Sequence, residues 1–393
     1  MSDSLSQKAS WTRVGFGEVV ERVIETAIPA GDESKTYIGL EHLDSDSLSV
    51  RRWGSEVKLV VPKTRIRKGD VLFARRNTHL RRCAVAPFDT CFSPDGYAFR
   101  SKSSSLLQSF LLYVVASDTF MEFAIERSAG THSKRVKWAD LVDYEFKLPP
   151  VKEQHRIVHG LVAIHSLESH LQSLRLGLDV TETAMLNSAF GPSYDHPTLG
   201  APLVVLGDLA DVRTGLAKGR RADMTTTTRP YLRVANVKDG ALDLSEMKEI
   251  VVERDKVERF SLRRGDVLMT EGGDLDKLGR GTVWQNEVEG CLHQNHVFAA
   301  RADDTRLDPW YLAALARSPY GRSYFLRCAK RSSNLASLNK AQVTAFLVPL
   351  RPLQQQKLWL QQYLALRELQ TSAGRRVVAS HLLMKKILEL NGI

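Results

Sequence analysis

The sequence predicts an α+β fold in which two pseudo-repeated mixed α/β domains are joined by two long antiparallel helices packed as a coiled coil. The first observation is a repeat, because a basic residue followed by Gly-Asp-Val-Leu occupies 68–72 and again 264–268. The second is that each copy ends in a proline-containing segment before a long run with helical apolar spacing. We therefore predict domains at 1–149 and 198–350, and long spacer helices at 150–190 and 351–393.

The repeat extends over nearly the whole chain. Matching segments are Phe16-Gly-Glu-Val-Val with Leu206-Gly-Asp-Leu-Ala, Thr36-Tyr-Ile-Gly-Leu with Pro230-Tyr-Leu-Arg-Val, Cys91 with Cys291, and Pro150…Gln154 with Pro352…Gln356. The offset between them grows slowly in one direction, as expected for two copies of one domain that differ by short loop insertions. Two similar but non-identical halves indicate a ligand that also has two such halves.

Each copy is predicted to begin with strands and to end with one buried helix. Predicted strands are 37–43, 71–74, 84–86 and 97–99 in the first copy, and 231–237, 267–270, 283–284 and 297–300 in the second. Gly69 and Gly265 permit a tight reversal before an apolar strand. The apolar segments 106–126 and 309–330 are predicted as the buried helices, the second with proline near its start.

The two spacer segments carry apolar residues at steps of three and four. In the first these are Ile157, Leu161, Ile164, Leu167, Leu171, Leu174 and Leu178, and in the second they are Leu360, Leu364, Leu382, Ile387 and Leu390, with an interruption near 371–374. Such a stripe must be buried against a partner. Their equivalent positions in the two copies favour pairing with each other, and the alternative is that each packs on its own domain.

Composition favours a protein of the cytoplasm that binds a polyanion. Hydrophobic content of 43% and charged content of 25% are ordinary for a globular protein, and no apolar run approaches the roughly 18 residues that would span a bilayer. The first residues lack the apolar segment of a secretory signal, and the 4 cysteines show no C-x-x-C spacing, which favours a reducing compartment. The net charge of +10 points toward a polyanion as partner, although many basic proteins bind no nucleic acid.

The chain resembles the specificity subunit of Type I restriction–modification enzymes. The resemblance is carried by Leu148-Pro-Pro-Val-Lys-Glu-Gln154 at the entry to a long helix, by its partner Val348-Pro-Leu-Arg-Pro-Leu-Gln-Gln-Gln356, and by the repeated Gly-Asp-Val-Leu turn. It covers residues 11–390 in the two-copy layout of that family. The second copy departs from the pattern, because Gln355 replaces the usual Glu and the two prolines are separated.

The resemblance implies a non-catalytic reader of double-stranded DNA. Each globular copy would be a target-recognition domain for one half of a split asymmetric site, and the helices would dock two methyltransferase subunits and, through them, a translocating endonuclease subunit. No cofactor or metal is expected in this chain. S-adenosylmethionine would belong to the methyltransferase partner, and ATP with Mg²⁺ to the endonuclease partner.

Physical arguments agree with this interpretation. A rod of about 25 helical residues is roughly 40 Å long, close to one turn of B-DNA. Base reading needs side chains with donors and acceptors on loops. Candidates in the first copy are Arg75, Arg76, Asn77, His79, Arg81, Arg82, Thr131, His132, Ser133, Lys134 and Arg135, and in the second Lys218, Arg220, Arg221, Lys277, Arg280, Lys330, Arg331, Ser333 and Asn334. Any one of them could instead be an ordinary solvated surface residue.

Enzyme alternatives find little support in the sequence. It contains no phosphate-binding Walker loop, dinucleotide fingerprint or nucleophile elbow. His293 and His296 could form a metal pair, but they lead into a predicted strand, where such spacing sends side chains to opposite faces. Glu271 and Asp274 offer two carboxylates without further nuclease groups. The remaining alternatives are a basic scaffold, an unrecognised enzyme, or a specificity subunit of a different modification or defence assembly.

Overall fold

The computed structural model describes residues 11–28, 36–45, 47–54, 61–131, 133–217, 224–273, 278–331 and 336–392. The chain divides into two compact units, one formed by Met1–Gln172 with Arg375–Ile393 and the other by Ser173–Gly374. Each unit therefore holds one globular domain and a part of each long helix.

The first domain is built from nine described strands and four short helices, followed by a long one. They are β1 (Thr12–Gly15), α1 (Phe16–Val19), β2 (Val20–Arg22), β3 (Thr26–Ala27), β4 (Lys63–Ile66), β5 (Val71–Phe73), β6 (Cys83–Val85), β7 (Thr90–Phe92), β8 (Tyr97–Ser101), α2 (Gln108–Ala116), α3 (Asp118–Glu126), α4 (Trp138–Leu141), β9 (Glu145–Leu148) and α5 (Val151–Phe190). Short 3-10 helices lie at Leu40–His42 and Thr78–Leu80.

The second domain has a similar composition of elements. They are β10 (Leu203–Val205), β11 (Ala210–Thr214), β12 (Thr226–Leu232), β13 (Val237–Lys238), β14 (Ala241–Leu242), β15 (Lys248–Glu253), α6 (Val257–Phe260), β16 (Val267–Thr270), β17 (Gly272–Gly273), β18 (Gly281–Val283), β19 (Leu292–His293), β20 (Val297–Ala302), α7 (Pro309–Arg317), α8 (Pro319–Cys328), β21 (Lys330–Arg331), β22 (Ala336–Ser337), α9 (Lys340–Thr344), β23 (Leu347–Pro349) and α10 (Leu353–Leu390). Further 3-10 helices lie at Leu206–Asp208, Val234–Asn236 and Arg254–Lys256.

The two domains share one strand order, which confirms the internal repeat. The first has an antiparallel sheet in the order β2-β8-β5-β6, and the second has the corresponding sheet β11-β20-β16-β18. In each domain the first and last strands pair, β1 with β9 and β10 with β23. Each domain also has a three-stranded sheet, but these differ: in β3-β4-β7 the central strand is antiparallel to β7, whereas in β15-β12-β19 the central strand is parallel to β19.

The repeated Gly-Asp turn contains a buried ion pair. Its glycine has a φ of 92° in both copies. Glycine adopts this conformation at little cost because it has no Cβ. The next residue is a buried aspartate, and Asp70 accepts two hydrogen bonds from Arg100 at 2.6 and 2.8 Å. Asp266 accepts two from Arg301 at 2.8 and 2.7 Å. Because a buried carboxylate needs such a partner, each pair stabilises the contact between neighbouring strands of the main sheet.

The predicted strand at 37–43 is wrong. Ile38 forms only an isolated bridge, and a 3-10 helix follows it. The reason is local, since the Gly39 amide donates to His42 Nδ1 at 2.9 Å and so leaves the strand ladder.

The predicted strand at 231–237 is interrupted in the same way. β12 ends at Leu232, and the Arg233 amide donates to Asn236 Oδ1 at 3.0 Å to begin a 3-10 turn. The other six predicted strands correspond to β5, β6, β8, β16, β18 and β20.

Each predicted buried helix is in fact two helices. The segment 106–126 is broken at Ser117, and the segment 309–330 is broken at Ser318. Each serine has extended backbone angles, and its hydroxyl caps the helix that follows; Ser117 Oγ accepts from the Phe120 amide at 3.2 Å. The serine hydroxyl accepts a hydrogen bond from a backbone amide that a helical carbonyl would otherwise accept, so a new helix begins after each serine.

The long helices bury a seam that differs from the predicted stripe. In α5 the buried residues at heptad positions include Gln154, Ile157, Leu161, Ile164, Glu168, Leu171 and Glu182, and in α10 they include Gln356, Leu360, Tyr363, Leu366, Ala373, Ser380 and Leu388. Leu167, Leu174, Leu364, Leu382 and Leu390, which we predicted to be buried, are exposed. The predicted interruption near 371–374 is absent, because α10 is continuous through it.

The helices are antiparallel. Within the second unit, Gln370 Nε2 donates to Asp179 Oδ1 at 2.8 Å, and Tyr363 donates to Glu182 Oε1 at 3.0 Å. The residue numbers of the contacting side chains increase along α5 while they decrease along α10, which confirms the predicted pairing.

Burial alone would raise the pKa of Glu182, but the positive charge of Arg317 and further hydrogen bonds and charges outweigh it and lower that pKa.

A buried glutamine attaches the start of each long helix to its own domain. Gln154 is fully buried; its Oε1 accepts from the Leu107 amide at 2.8 Å, and its Nε2 donates to two backbone carbonyls at 2.6 and 2.7 Å. Gln356 repeats this pattern, accepting from the Asp308 amide at 2.9 Å and donating to two carbonyls at 2.8 and 2.7 Å. The repeated Pro…Gln segment is thus a structural joint between helix and domain.

Candidate nucleic-acid interface

In the first domain, two of the predicted segments form one corner beyond the end of β5. Arg76 and Arg135 form an antiparallel bridge, and Arg135 forms another with Ala129. The Asn77 amide donates to the Lys134 carbonyl at 2.8 Å, which fixes the register between the two segments. Residues more than fifty positions apart in sequence are thereby brought to one surface, which we call the first corner (75–77 and 133–135).

The first corner carries excess positive charge. Asp95 is shared by two arginines, with Arg76 Nη1 3.0 Å from Oδ2 and Arg135 Nη2 3.1 Å from Oδ1. Arg76 also donates through Nε to Ser133 Oγ at 2.6 Å. One carboxylate orients both guanidinium groups, yet each side chain remains more than 40% exposed. Oriented, solvent-accessible arginines of this kind suit recognition of phosphates or base acceptors.

The other predicted arginines of this domain have structural contacts. Arg75 donates to the Tyr97 hydroxyl at 3.0 Å, and its guanidinium carbon lies 5.1 Å from that ring's centroid. Arg81 pairs with Asp118, and Arg82 donates to the Leu40 carbonyl at 2.7 Å. Burial lowers the pKa of Arg82.

The loop between Asn77 and Arg81 has a constrained backbone. Asn77 has φ 54° and Arg81 has φ 50°, values in the left-handed region that few residues other than glycine adopt. Between them a 3-10 turn presents His79 and Leu80 to solvent. Strained backbone of this kind concentrates at functional sites, and here it projects an exposed tip next to the first corner.

Of the remaining first-domain candidates, Thr131 and Lys134 are exposed and Ser133 is partly buried. His132 lies outside the described residues, as do Lys218, Arg220, Arg221, Lys277, Ser333 and Asn334 of the second domain. Only the backbone of Arg331 is described. The assignment of individual residues to DNA contacts stays a prediction.

The second domain has a corresponding corner (271–273, 330–331 and 336–337). There β17, β22 and β21 form a three-stranded antiparallel ribbon. Lys330 is exposed on this ribbon. Beside the ribbon, the Arg280 carbonyl accepts a hydrogen bond from the Thr270 amide at 3.0 Å. The ribbon is the equivalent of the first domain's bridges, so the repeat presents two corners built on one frame.

The histidine pair does not form a site. His293 is buried, with Nδ1 3.1 Å from the Phe260 carbonyl, and burial lowers its pKa to about 4. His296 is half exposed, and its Nδ1 is 2.7 Å from Glu271 Oε2. The two rings therefore make unrelated contacts, and they do not share a strand: His293 ends β19, whereas His296 lies in the turn before β20.

Sequence reasoning missed several residues that shape these regions. Asp95 was not singled out, although its Ser-Pro-Asp-Gly turn directly precedes β8 and marks it as a loop residue. The apolar stripe places Glu168 on another face of the first long helix, yet Glu168 is buried, as is Glu182. A heptad count that admitted polar residues would have found both.

Among the described residues, no helix combines the length and the apolar character that crossing a bilayer requires.

Comparison with known proteins agrees with this architecture. Residues 33–173 match the family described as "Type I restriction modification DNA specificity domain". The chain is 25% identical over 154 residues to a putative type I restriction enzyme MjaX specificity subunit of Methanocaldococcus jannaschii, which covers 39% of this chain and 36% of that protein. It is 22% identical over 284 residues to the type I restriction enzyme StySPI specificity subunit of Salmonella potsdam, covering 69% and 60%.

Solved structures with the same fold cover both chains almost completely. The Type-I restriction-modification system S subunit from M. genitalium aligns with a TM-score of 0.61 at 11% identity, over 98% of this chain and 96% of that one. A chain from a study of complex assembly and conformational transition of the type I R-M system aligns with a TM-score of 0.54 at 21% identity, over 97% of each. At these identities the likeness establishes the fold.

Two repeated mixed α/β domains, each followed by a long helix, form the fold that this chain shares with these solved structures. The sequence similarity is to the same class of protein: residues 33–173, less than half of the chain, match the DNA specificity domain, and the chain spans 36% and 60% of the length of the two curated relatives.

Proposed function

We propose that this chain is the DNA-recognition subunit of a Type I restriction–modification complex, with each domain reading one half of a split asymmetric site. The observation that carries the proposal is the pair of equivalent corners, each at the end of the main sheet of its domain. Because the corners differ in their side chains while sharing a frame, they suit two different half-sites.

The first corner supplies the clearest electrostatic support. Arg76 and Arg135 share one carboxylate, so this surface keeps net positive charge where DNA phosphates would be attracted. The loop tip at His79 and Leu80 stands beside it. We propose that the corner lies against one groove and that the tip contacts bases or sugars at its edge.

The spacer helices supply surfaces for partner subunits. In the first unit, exposed apolar residues of the helices are Val162, Leu167, Val378, Leu382, Leu383 and Leu390, and in the second they are Leu174, Leu176, Val180, Leu358, Leu364 and Leu369. Exposed apolar side chains on these helices offer surface that a protein partner can cover. We propose that two methyltransferase subunits dock there and that an endonuclease subunit joins through them.

Catalysis is proposed to reside in those partners. S-adenosylmethionine would bind to the methyltransferase subunits, and ATP with Mg²⁺ to the endonuclease subunit, so that this chain contributes recognition without a reaction of its own. The complex would act on cytoplasmic DNA.

The test is co-expression with candidate methyltransferase subunits, followed by mapping of methylated adenines in host DNA. A split asymmetric motif that is methylated only when this chain is present, and of which one half changes when residues 198–350 are exchanged for those of a relative, is the expected result. Unchanged methylation, with no methyltransferase co-purifying, would refute the proposal.

Point variants sharpen the test. Arg76→Ala and Arg135→Ala should each weaken DNA binding and, if the residue contacts a phosphate, lower the salt slope by about one. Arg13→Ala is the matched control, because Arg13 is an exposed arginine on β1, paired to Glu145 rather than placed at the corner. Equal effects of Arg13 and Arg76 substitution would count against the first corner as the interface.

A further inference from the structure

The second corner places a carboxylate where the first has an arginine. The Val136 amide donates to the Arg75 carbonyl at 3.0 Å, and the Leu338 amide donates to the Glu271 carbonyl at 2.8 Å. Both residues directly follow the Gly-Asp-Val-Leu strand of their copy by the same number of positions. Glu271 is therefore the structural equivalent of Arg75, with the opposite charge.

The carboxylate of Glu271 is held in a defined orientation. His296 Nδ1 lies 2.7 Å from Oε2, and the Glu271 amide donates to the His296 carbonyl at 2.9 Å. The Glu271 side chain is 26% exposed, so it reaches solvent. Among the residues that the structure describes, Oε1 carries no hydrogen bond, which leaves an oriented acceptor at the surface of the ribbon.

A carboxylate on a surface that approaches DNA is unfavourable unless a specific donor meets it. Phosphates repel it, and so do the O6, N7 and O4 acceptors of guanine and thymine in the major groove. The groups there that donate to a carboxylate are the exocyclic amino groups, N4 of cytosine and N6 of adenine. The first corner has the opposite preference, since its arginines favour acceptors such as those of guanine.

We propose that Glu271 is a specificity-determining residue of the second domain, and that it recognises a base bearing an exocyclic amino group in the major groove. The inference depends on the proposed function, because it assumes that the second corner faces DNA. It assigns opposite chemistries to the two corners, an acceptor-rich base for Arg76 and Arg135 of the first and an amino-bearing base for Glu271 of the second.

The experiment uses the complex of the full chain with its methyltransferase subunits and a DNA library randomised in both half-sites. Glu271→Gln keeps an acceptor oxygen but removes the charge, and Glu271→Ala removes both. Glu289→Gln is the control, because Glu289 is an exposed carboxylate of the same domain outside the corner. We expect both Glu271 variants to lower discrimination about tenfold at one position of the second half-site and to leave the first half-site unchanged. The base that the unmodified chain prefers at that position shows whether the recognised amino group belongs to cytosine or to adenine.

Three results would overturn the inference. Unchanged discrimination in both Glu271 variants would exclude a base contact. Tighter binding to all sequences alike, with the preferred motif unchanged, would mean that Glu271 only repels phosphates. A complex of the unmodified chain without sequence preference in either half-site would refute the proposed function itself, and the inference with it.

Discussion

Replacing Gln356 by leucine should separate the second long helix from its domain at a large cost in stability. The side chain is fully buried, and leucine is close to glutamine in volume, so the substitution removes hydrogen-bonding groups and leaves packing nearly intact. It would leave the Asp308 amide and the carbonyls of Arg306 and Arg351 without their partner.

The expected loss is about 4 kcal/mol, because an unsatisfied buried polar group costs roughly 1–3 kcal/mol and three are created, one of them near the surface. Urea denaturation followed by tryptophan fluorescence measures it, since Trp359 packs on the core of the same unit. Amide hydrogen exchange supplies a local measurement, in which the Asp308 amide should lose protection more than its neighbours.

The internal repeat provides a second trial of the same reasoning. Gln154→Leu removes an equivalent set of three bonds and should cost a similar amount, with the Leu107 amide as local reporter. Gln355→Leu is the matched control, because Gln355 is exposed and should change stability by less than about 0.5 kcal/mol. A loss below about 1 kcal/mol for either buried glutamine would show that these bonds do not attach the helix to its domain.

Three further predictions concern helices and pH. Gly177→Ala should stabilise the chain by about 1 kcal/mol in thermal unfolding, since an added Cβ meets no atom within 4 Å, whereas Gly321→Ala should destabilise it because its Cβ would strike backbone carbonyls. Glu182→Gln should cost about 3 kcal/mol in urea by leaving Arg317 buried with weaker compensation; a neutral result would mean that the pair is not a stabilising contact. His293 has a pKa of about 4 when folded, below the roughly 6.5 of a free histidine, so the unfolded state takes up its proton first. Stability should therefore fall by up to about 3 kcal/mol as the pH drops from about 6.5 to about 4, and His293→Gln should flatten that dependence.

Much of the fold could be predicted because its signals are local or repeated. The Gly-Asp turns required glycine for a positive φ, and the prolines before Val151 and Leu353 marked where the long helices begin. The repeat then transferred each assignment from one copy to the other.

The wrong predictions have a common physical cause, which is that polar side chains can bond to the backbone. His42 and Asn236 took backbone amides away from predicted strands, and Ser117 and Ser318 capped new helices inside apolar segments. An apolar pattern contains no information about these bonds.

The seam of the long helices was misplaced for a related reason. A stripe drawn through apolar residues alone included Leu167 and Leu174, which are exposed, and left out the buried Glu168 and Glu182. Buried charge is tolerated in α5 because partners are available, such as Arg317 for Glu182. Those partners are far away in sequence, so periodicity could not have revealed them.

The sequence named the segments that form the first corner but could not show how they come together, and the structure indicates why. The bonds that hold each corner are mainly between backbone groups, such as Val136 to Arg75 and Leu338 to Glu271. A side chain at such a position can change from arginine to glutamate while the frame remains the same. Under the proposed function, the backbone frame fixes where each domain contacts DNA, and the side chains decide which base it recognises. This separation would then allow one duplicated domain to serve two different half-sites, and substitution at 271 is expected to alter the base preference of the second domain without changing its backbone.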